Sequence, residues 1–313
     1  MTSALSSSLL SYPIASLKTL ELEHTNSNPL AIICVPSSIT LSQSQKQRIA
    51  REFNLSESVF LHEQTTQDKN DHTVRIDIFT SYAEVPFAGH PTVGTANYLL
   101  RLLKDDPLNN VAALQAKAGR FPITRAPEID GAEIGLAHNV HIHNSPFADQ
   151  PTIAKYPVVS IVQGMTFILA DLPDLETLAS QKSNPLGVEN VYSAYTKLDE
   201  GPWRTGLVGT YFFVDLGFEG EVRQLRTRMF ASREDPATGS AASALTSYLS
   251  LQQGKPGRYK YLLTQGVEMG QRSQISVEVG VKYGADGLEI DEILLSGSAV
   301  LIMQGTLEVS DES

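Results

Sequence analysis

At 313 residues the chain exceeds the size that one hydrophobic core usually serves, so two domains are expected. Its 35 Asp and Glu against 24 Lys and Arg leave a net charge of -11, with no basic run, which argues against a nucleic-acid partner. The one cysteine, Cys34, rules out an internal disulfide, a cysteine-cluster metal site and a two-thiol mechanism, and it suits a reducing cytoplasm.

Residues 1–12 are Ser-rich around Leu9 and Leu10. They lack a basic region followed by a long apolar core, so neither a secretory signal nor a membrane-spanning helix is predicted, and the stretch reads as a frayed leader. Strands are predicted at 17–22 and 30–35, joined as a hairpin through the turn chemistry of Asn26-Ser-Asn-Pro29. Ser42 is placed to cap a helix over 43–53 with Ile49 on its apolar face, giving way at Asn54. The next strand, entered over 55–60, puts Glu57 at its mouth among Leu55, Val59 and Phe60. A carboxyl there would lose hydration and become poised for acid/base work, although spacing alone favours a solvent-facing glutamate at a strand start. The alternation over 74–80 is that of a half-buried strand leading to a turn and a helix that ends near Asp105-Asp-Pro107.

Short strands follow at 111–116, 120–124 and 133–136, and then the linker-like segment 144–151. The domain expectation is an N-terminal half over 1–143 and a C-terminal half over 152–299. In the second half, strands are predicted at 158–162, 164–170, 210–216 and 225–230, with a short helix at 173–180. Further strands near 259–264, 274–282 and 287–295 close it, and 299–303 and 306–309 finish the chain.

One stretch organises the rest. Glu234-Asp-Pro-Ala-Thr-Gly-Ser-Ala-Ala-Ser-Ala-Leu-Thr-Ser-Tyr-Leu249 has an earlier counterpart in Glu84-Val-Pro-Phe-Ala-Gly-His-Pro-Thr-Val-Gly-Thr-Ala-Asn-Tyr-Leu99, with Glu, Pro, Gly, Tyr and Leu at matching offsets. In each copy a tight turn at Gly89 or Gly239 opens a helix of small residues, beside His90 or Ser240. A helix without a polar stripe is predicted to be buried all round. Its first-turn amides have no backbone partner, and the helix dipole favours an anion there, so two such ends at one cleft would suit a small carboxylate. Two core helices alike in composition would show the same spacing.

With Asn54-Leu-Ser-Glu57, Phe87-Ala-Gly-His-Pro-Thr92, Glu234-Asp-Pro-Ala-Thr-Gly-Ser-Ala241 and Gln265-Gly-Val-Glu-Met-Gly270 in this order, the chain resembles the phenazine-biosynthesis PhzF-like family from about Leu17 to Val309. The resemblance implies an α/β (α+β) diaminopimelate-epimerase-like fold: two pseudo-symmetric domains, each a mixed β-sheet or barrel wrapped round a central helix. By the same analogy 300–313 return to the first domain. It implies a cofactor-free isomerase with Glu57 as acid/base, His90 and Asp235 beside it, and Gly89, Thr238, Gly239 and Ser240 around a small, carboxylate-bearing substrate. A cytoplasmic homodimer is implied as well. Arg233, in the short Ala-Ser-Arg loop before Glu234, is a further candidate anion donor. The family's usual Gly-Asn-Pro reads Ser27-Asn-Pro29 here, and Met-Gly-Arg-Pro-Ser reads Met269-Gly-Gln-Arg-Ser273, departures that bear on the substrate.

Competing readings are few. His141 and His143 share a strand face, and His138 is near, but spacing fixes no third ligand, so no metal site is predicted. Trp203 reads as a loop anchor. No dinucleotide or phosphate-loop glycine pattern is present, and no nucleotide cofactor is expected. The functional alternative is a noncatalytic small-ligand-binding or scaffold protein on the same fold.

Overall fold

The computed structural model describes residues 10–20, 28–103, 110–136, 138–285 and 287–309. The first half runs β1 (Leu10–Leu20), β2 (Pro29–Val35), α1 (Gln43–Phe53), β3 (Ser58–His62), α2 (Thr66–Asn70), β4 (Thr73–Phe79), β5 (Glu84–Val85) and α3 (Gly89–Asn97). It continues with β6 (Ala113–Ala116), β7 (Gly119–Ala126), β8 (Gly131–Gly135) and β9 (His141–Ile142). The second half runs β10 (Val158–Val162), β11 (Met165–Asp171), α4 (Leu175–Ser180), β12 (Leu207–Glu219), β13 (Val222–Phe230), β14 (Glu234–Asp235) and α5 (Gly239–Leu251). It ends with β15 (Gly257–Gln265), β16 (Ser273–Gly284) and β17 (Gly287–Val309).

The duplication seen around the two small-residue helices extends to the strand pairing. In the first half β2–β3 is parallel, β3–β4 and β4–β5 are antiparallel, β4–β6 is parallel and β6–β7 antiparallel. In the second half β11–β12, β12–β13, β13–β14, β13–β15 and β15–β16 repeat that order with the same directions. Even the two short strands correspond: Glu84 pairs with Phe79, and Glu234 with Phe230. β17 serves both halves, pairing with β16 through Ser296, with β8 over Leu294–Gly297, and with β1 from Ser298 onward.

Each half is wrapped round its own helix. α3 touches β1, β2, β3, β7, β8 and β17, and α5 touches β10, β11, β15, β16 and β17. All nine residues of α3 are buried, and α5 is buried along nearly its whole length. A helix surrounded by strands has no water for its polar side chains, so these turn back on their own backbone. Thr92 donates to Ala88 O at 2.7 Å, Thr95 to Pro91 O at 2.8 Å, Ser243 to Gly239 O at 2.8 Å and Thr246 to Ala242 O at 2.9 Å. Small hydroxyl residues thus keep the helix thin and mostly satisfied; the buried Ser247 Oγ of α5 is an exception, with no partner among the described residues.

Local signals placed most elements. Ser42 and Gln45 form a reciprocal capping box on α1, and Asn54 stops that helix in the left-handed conformation at φ 49. The leader reading of 10–12 is overturned: Leu10, Ser11 and Tyr12 pair with Val309, Glu308 and Leu307 in β1. That partner lies at the far end of the chain, where local composition carries no trace of it. The three separate strands expected over 287–309 are one, because Gly297 and Gly305 mark a change of partner and a ribbon rather than breaks. The rest of the expected leader, the Asn26-Ser27 turn and the helix end at Asp105-Asp-Pro107 lie outside the described residues. Among the described residues no helix is long and apolar enough to cross a membrane.

Candidate active site

Gly89 and Gly239 open α3 and α5, and they open them against each other. A Cβ built on Gly89 would stand 2.5 Å from Gly239 Cα, and one on Gly239 would stand 2.9 Å from Gly89 Cα. Only two glycines allow the helix starts to meet so closely. The meeting brings together the first turns of two helices whose amides no side chain caps. α1, α2 and α4 are each capped by a side chain, whereas α3 and α5 are not. Ala88 has nothing to offer as a cap, and the Thr238 hydroxyl is turned away to donate to Asp235 Oδ2 at 2.5 Å.

A pocket of about 650 Å³, counted to its open mouth, lies over this junction. It is lined by all seven residues that the sequence singled out: Glu57, Gly89, His90, Asp235, Thr238, Gly239 and Ser240. Arg233, Ser56, Tyr82 and Tyr192 also face it. Glu57 sits on the residue before β3, and its side chain is 17% exposed, so the solvent-facing alternative does not hold. Its Oε2 lies 3.4 Å from His90 Nδ1 and has no hydrogen-bond partner among the described residues. His90 Nε2 is likewise buried without one. Two unsatisfied polar atoms at a pocket floor are costly unless something else meets them.

Asn28 organises the floor. Its Nδ2 donates to Asp235 Oδ1 at 2.8 Å and to Ala237 O at 3.2 Å, two groups that only accept, which fixes the orientation of the amide. The same nitrogen lies 3.3 Å from His90 Nδ1, leaving that ring nitrogen on the acceptor side and the ring proton on Nε2. Ser56 donates to Asn28 Oδ1 at 3.2 Å and to Asp235 Oδ1 at 3.3 Å. Gln265, fully buried, donates to Asp235 O at 2.7 Å and Thr238 Oγ1 at 3.0 Å, pinning the turn that delivers α5. From below, Arg228 holds Glu234 with two bonds of 2.7 and 2.8 Å and donates to the carbonyls of Leu178, Ala179 and Gln181.

The electrostatics follow from this burial. Loss of hydration, and then repulsion from Asp235, hold Glu57 well above the usual carboxylate range, with Arg233 pulling the other way. Burial pushes Asp235 up to about 6, against hydrogen bonds from Thr238, Ser56 and Asn28 and the charge of Arg233. Burial takes His90 down to about 3. The buried imidazole of His90 is therefore neutral at neutral pH, and Asp235 is engaged by donors other than His90.

Several residues of the site were not singled out from the sequence. Asn28 was visible only as part of a turn, and Ser56 as a neighbour of Glu57. Gln265 was part of a quoted motif without a role, and Arg228 and Tyr192 gave no signal at all. Cys34 lies on β2 with its Sγ 3.8 Å from Tyr98 OH, outside the pocket lining. His138 is engaged by the carbonyls of Leu136 and Ile290, while His141 and His143 sit with Asp199 and Trp203 in a separate cluster.

Duplicated half-sheets, each wrapped on a buried small-residue helix, with both helix starts abutting under one pocket, define the diaminopimelate-epimerase-like class of isomerase folds. Within it, the family described as phenazine biosynthesis-like protein matches residues 23–305, and the chain belongs to that family. It is 30% identical over 294 residues to a trans-2,3-dihydro-3-hydroxyanthranilate isomerase of Pseudomonas aeruginosa, covering 90% of this chain and 94% of that protein. An uncharacterized isomerase of Mesorhizobium japonicum is 29% identical over 315 residues, with 91% and 95% covered. Among solved structures, a PhzF-family phenazine biosynthesis protein of Bacillus anthracis matches with a TM-score of 0.70 at 18% identity, over 95% of this chain and 99% of that one. A hydroxyproline epimerase of Agrobacterium vitis with bound trans-4-hydroxy-L-proline matches with a TM-score of 0.62 at 11% identity, over 96% and 93%. The structures establish the fold; relatives named as isomerases along nearly the whole length make this chain an isomerase of the family.

Proposed function

We propose that the chain moves a proton within a small carboxylate-bearing metabolite, with Glu57 as the acid/base and without a cofactor. The observation that carries this reading is the buried, unpartnered Glu57 Oε2 beside a neutral His90 on the floor of the pocket. A carboxylate with a raised pKa is a stronger base once ionised, and a usable acid after it has taken the proton. Glu57 breaks a C–H bond next to an activated carbon and takes the proton. The electron pair shifts along the substrate, and Glu57 returns the proton to another carbon. Atoms and charge balance with no second reactant.

The rest of the floor handles the charge that develops between those steps. His90 Nε2–H and the first-turn amides of α3 and α5 are donors that need no reorganisation when charge appears. Asp235, held by Asn28, Ser56 and Thr238, is the more readily ionised carboxyl and is suited to an amine or hydroxyl of the substrate. The substrate carboxylate is assigned to Arg233 and the free helix amides. The Pseudomonas aeruginosa relative names the first compound to try, trans-2,3-dihydro-3-hydroxyanthranilate. A homodimer working in the cytoplasm is proposed on the family resemblance and the lone cysteine.

Glu57→Gln keeps the shape of the side chain and removes its acid/base capacity. It is expected to abolish the mass-neutral conversion while ligand binding stays within about tenfold, or 1.4 kcal/mol. Undiminished turnover would remove Glu57 from the mechanism. A binding protein on the same fold would convert no metabolite at all, with or without Glu57.

A further inference from the structure

Away from the pocket, three ligand-bearing side chains converge that the isomerase reading does not use. His141 and His143 lie two residues apart at β9, so their rings leave the same face of the strand. Asp199 comes from a distant loop to meet them. Its Oδ2 is 2.9 Å from His141 Nε2 and 3.7 Å from His143 Nδ1, and one ligand atom from each of the three lies within 4.8 Å of the others. Tetrahedral zinc with bonds of about 2.0–2.1 Å places its ligand atoms ~3.3 Å apart, so a shift of about 1 Å in the part-exposed His141 and Asp199 closes the set.

We propose that His141, His143 and Asp199 form a binding site for a divalent transition-metal ion of the zinc type, its remaining positions filled by water. The surroundings are those of a ligand set already oriented. Asp199 N–H points at His143 Nδ1 over 3.3 Å, so that nitrogen carries a lone pair, and the ring proton sits on Nε2. Nε2 donates to the buried Ser160 Oγ at 2.8 Å, which is itself 2.6 Å from Thr166 Oγ1. An imidazole whose other nitrogen donates to a fixed partner is the arrangement that metal-bound histidines adopt. The Asn144 amide, 3.1 Å from Asp199 Oδ1, steadies the carboxylate. Trp203 stacks on His141 at 4.5 Å with ring planes 9° apart.

Two nitrogens and one carboxylate oxygen suit zinc, cobalt or nickel and not calcium or magnesium, which take oxygen shells. The ion takes the place of the hydrogen now shared between His141 and Asp199 and displaces the long Asp199 amide contact to His143. It enters from the side where His141 and Asp199 are 31% and 25% exposed, since the His143 side chain is fully buried. Asp199 and Trp203 belong to the segment between Tyr192 and Leu207, both of which line the isomerase pocket, so an occupied site braces that wall.

The test uses the full chain, stripped with a chelator and titrated with zinc chloride and cobalt chloride in a non-coordinating buffer. Binding is read by calorimetry and by the emission of Trp203, the chain's one tryptophan. The expected result is one ion per chain, with quenching of Trp203 by cobalt. His141→Gln and Asp199→Asn should each weaken binding more than about tenfold, and Ser160→Ala about tenfold with stoichiometry retained. His138→Gln should leave binding unchanged. Absence of saturable one-to-one binding overturns the proposal. So does binding that His141→Gln and Asp199→Asn leave intact, or that His138→Gln weakens equally.

Discussion

Replacing Gly89 with Ala tests whether the two helix starts meet as described. Neither Gly89 nor Gly239 has a positive φ, so alanine can adopt either backbone conformation, and within a helix it would ordinarily stabilise by about 0.5–1 kcal/mol. The added methyl would stand 2.5 Å from Gly239 Cα, 2.9 Å from Gly239 C and 3.0 Å from Leu295 Cδ2, where ordinary contact begins at 3.4 Å. Two of those three atoms are backbone and cannot rotate aside. Overpacking of this kind costs about 1–3 kcal/mol, which outweighs the helix preference. A fall in melting midpoint of roughly 2–6 °C is expected for a chain of this size. Turnover should fall further, by about a hundredfold, because parting the helices by about 1 Å misplaces both sets of amides. At Gly239 the nearest obstacle is instead the Leu295 side chain, at 2.7 Å. Gly239→Ala should therefore be the milder change, and Leu295→Ala should cost less in that background than alone. Thermal melts and isomerisation rates of the four variants decide it. A Gly89→Ala protein as stable and as active as the wild type would mean that the helix starts do not form the pocket floor.

Three further outcomes are expected. Arg233→Met should raise KM about tenfold or more through loss of a charge-assisted contact. It should also move the acid limb of the pH profile upward, since Arg233 lowers the pKa of Glu57, and Arg233→Lys should restore the limb; no change in either quantity would dismiss Arg233 as the carboxylate partner. The raised carboxyls make a stability prediction of definite sign. Glu57 and Asp235 hold protons in the folded chain above the unfolded values near 4, so their contribution is full below about pH 4 and is lost as the pH rises through the folded pKa values. Glu57→Gln should thus gain in melting midpoint over the wild type as the pH rises from about 4 through neutrality, and a difference that stays constant over that rise would refute the burial argument. Finally, Arg228→Met leaves the Glu234 carboxylate without its partner and removes a donor from three carbonyls, and should cost about 3–5 kcal/mol in denaturant unfolding, with Asp235 displaced alongside; a loss under about 1 kcal/mol would show the pair to be dispensable.

What could be read in the sequence, and what could not, divides by range. α1 was legible down to its cap and its stop, because Ser42, Gln45 and Asn54 act within a turn or two of backbone. The burial of α3 and α5 was legible because the absence of a polar stripe is a local property. The convergence of Glu57, His90 and Asp235 was suggested by the repeated turn and by family resemblance, and the mutual exclusion of side chains at Gly89 and Gly239 supplies its physical reason. Asn28 could not be read as the organiser of the floor, since its partners Asp235 and Ala237 are more than two hundred positions away. Asp199, 58 positions from His141, lay beyond the reach of any local pattern, and so did the pairing of β1 with the end of β17.

The net charge poses a question that the site itself answers. A chain at -11 with two carboxyls on the pocket floor is a poor long-range attractor for a carboxylate. Charges beyond about 8 Å are largely screened at physiological ionic strength, so distant acidic residues matter little once a substrate is in the mouth. What remains is local. Burial raises Glu57 and Asp235 so that the floor carries less negative charge near neutrality than two exposed acids would. Arg233 and the uncapped ends of α3 and α5 then supply positive potential at contact distance. In the proposed mechanism the desolvation that would make Glu57 a usable base also favours the approach of an anion: a substrate that excludes water from the pocket strengthens both effects at once.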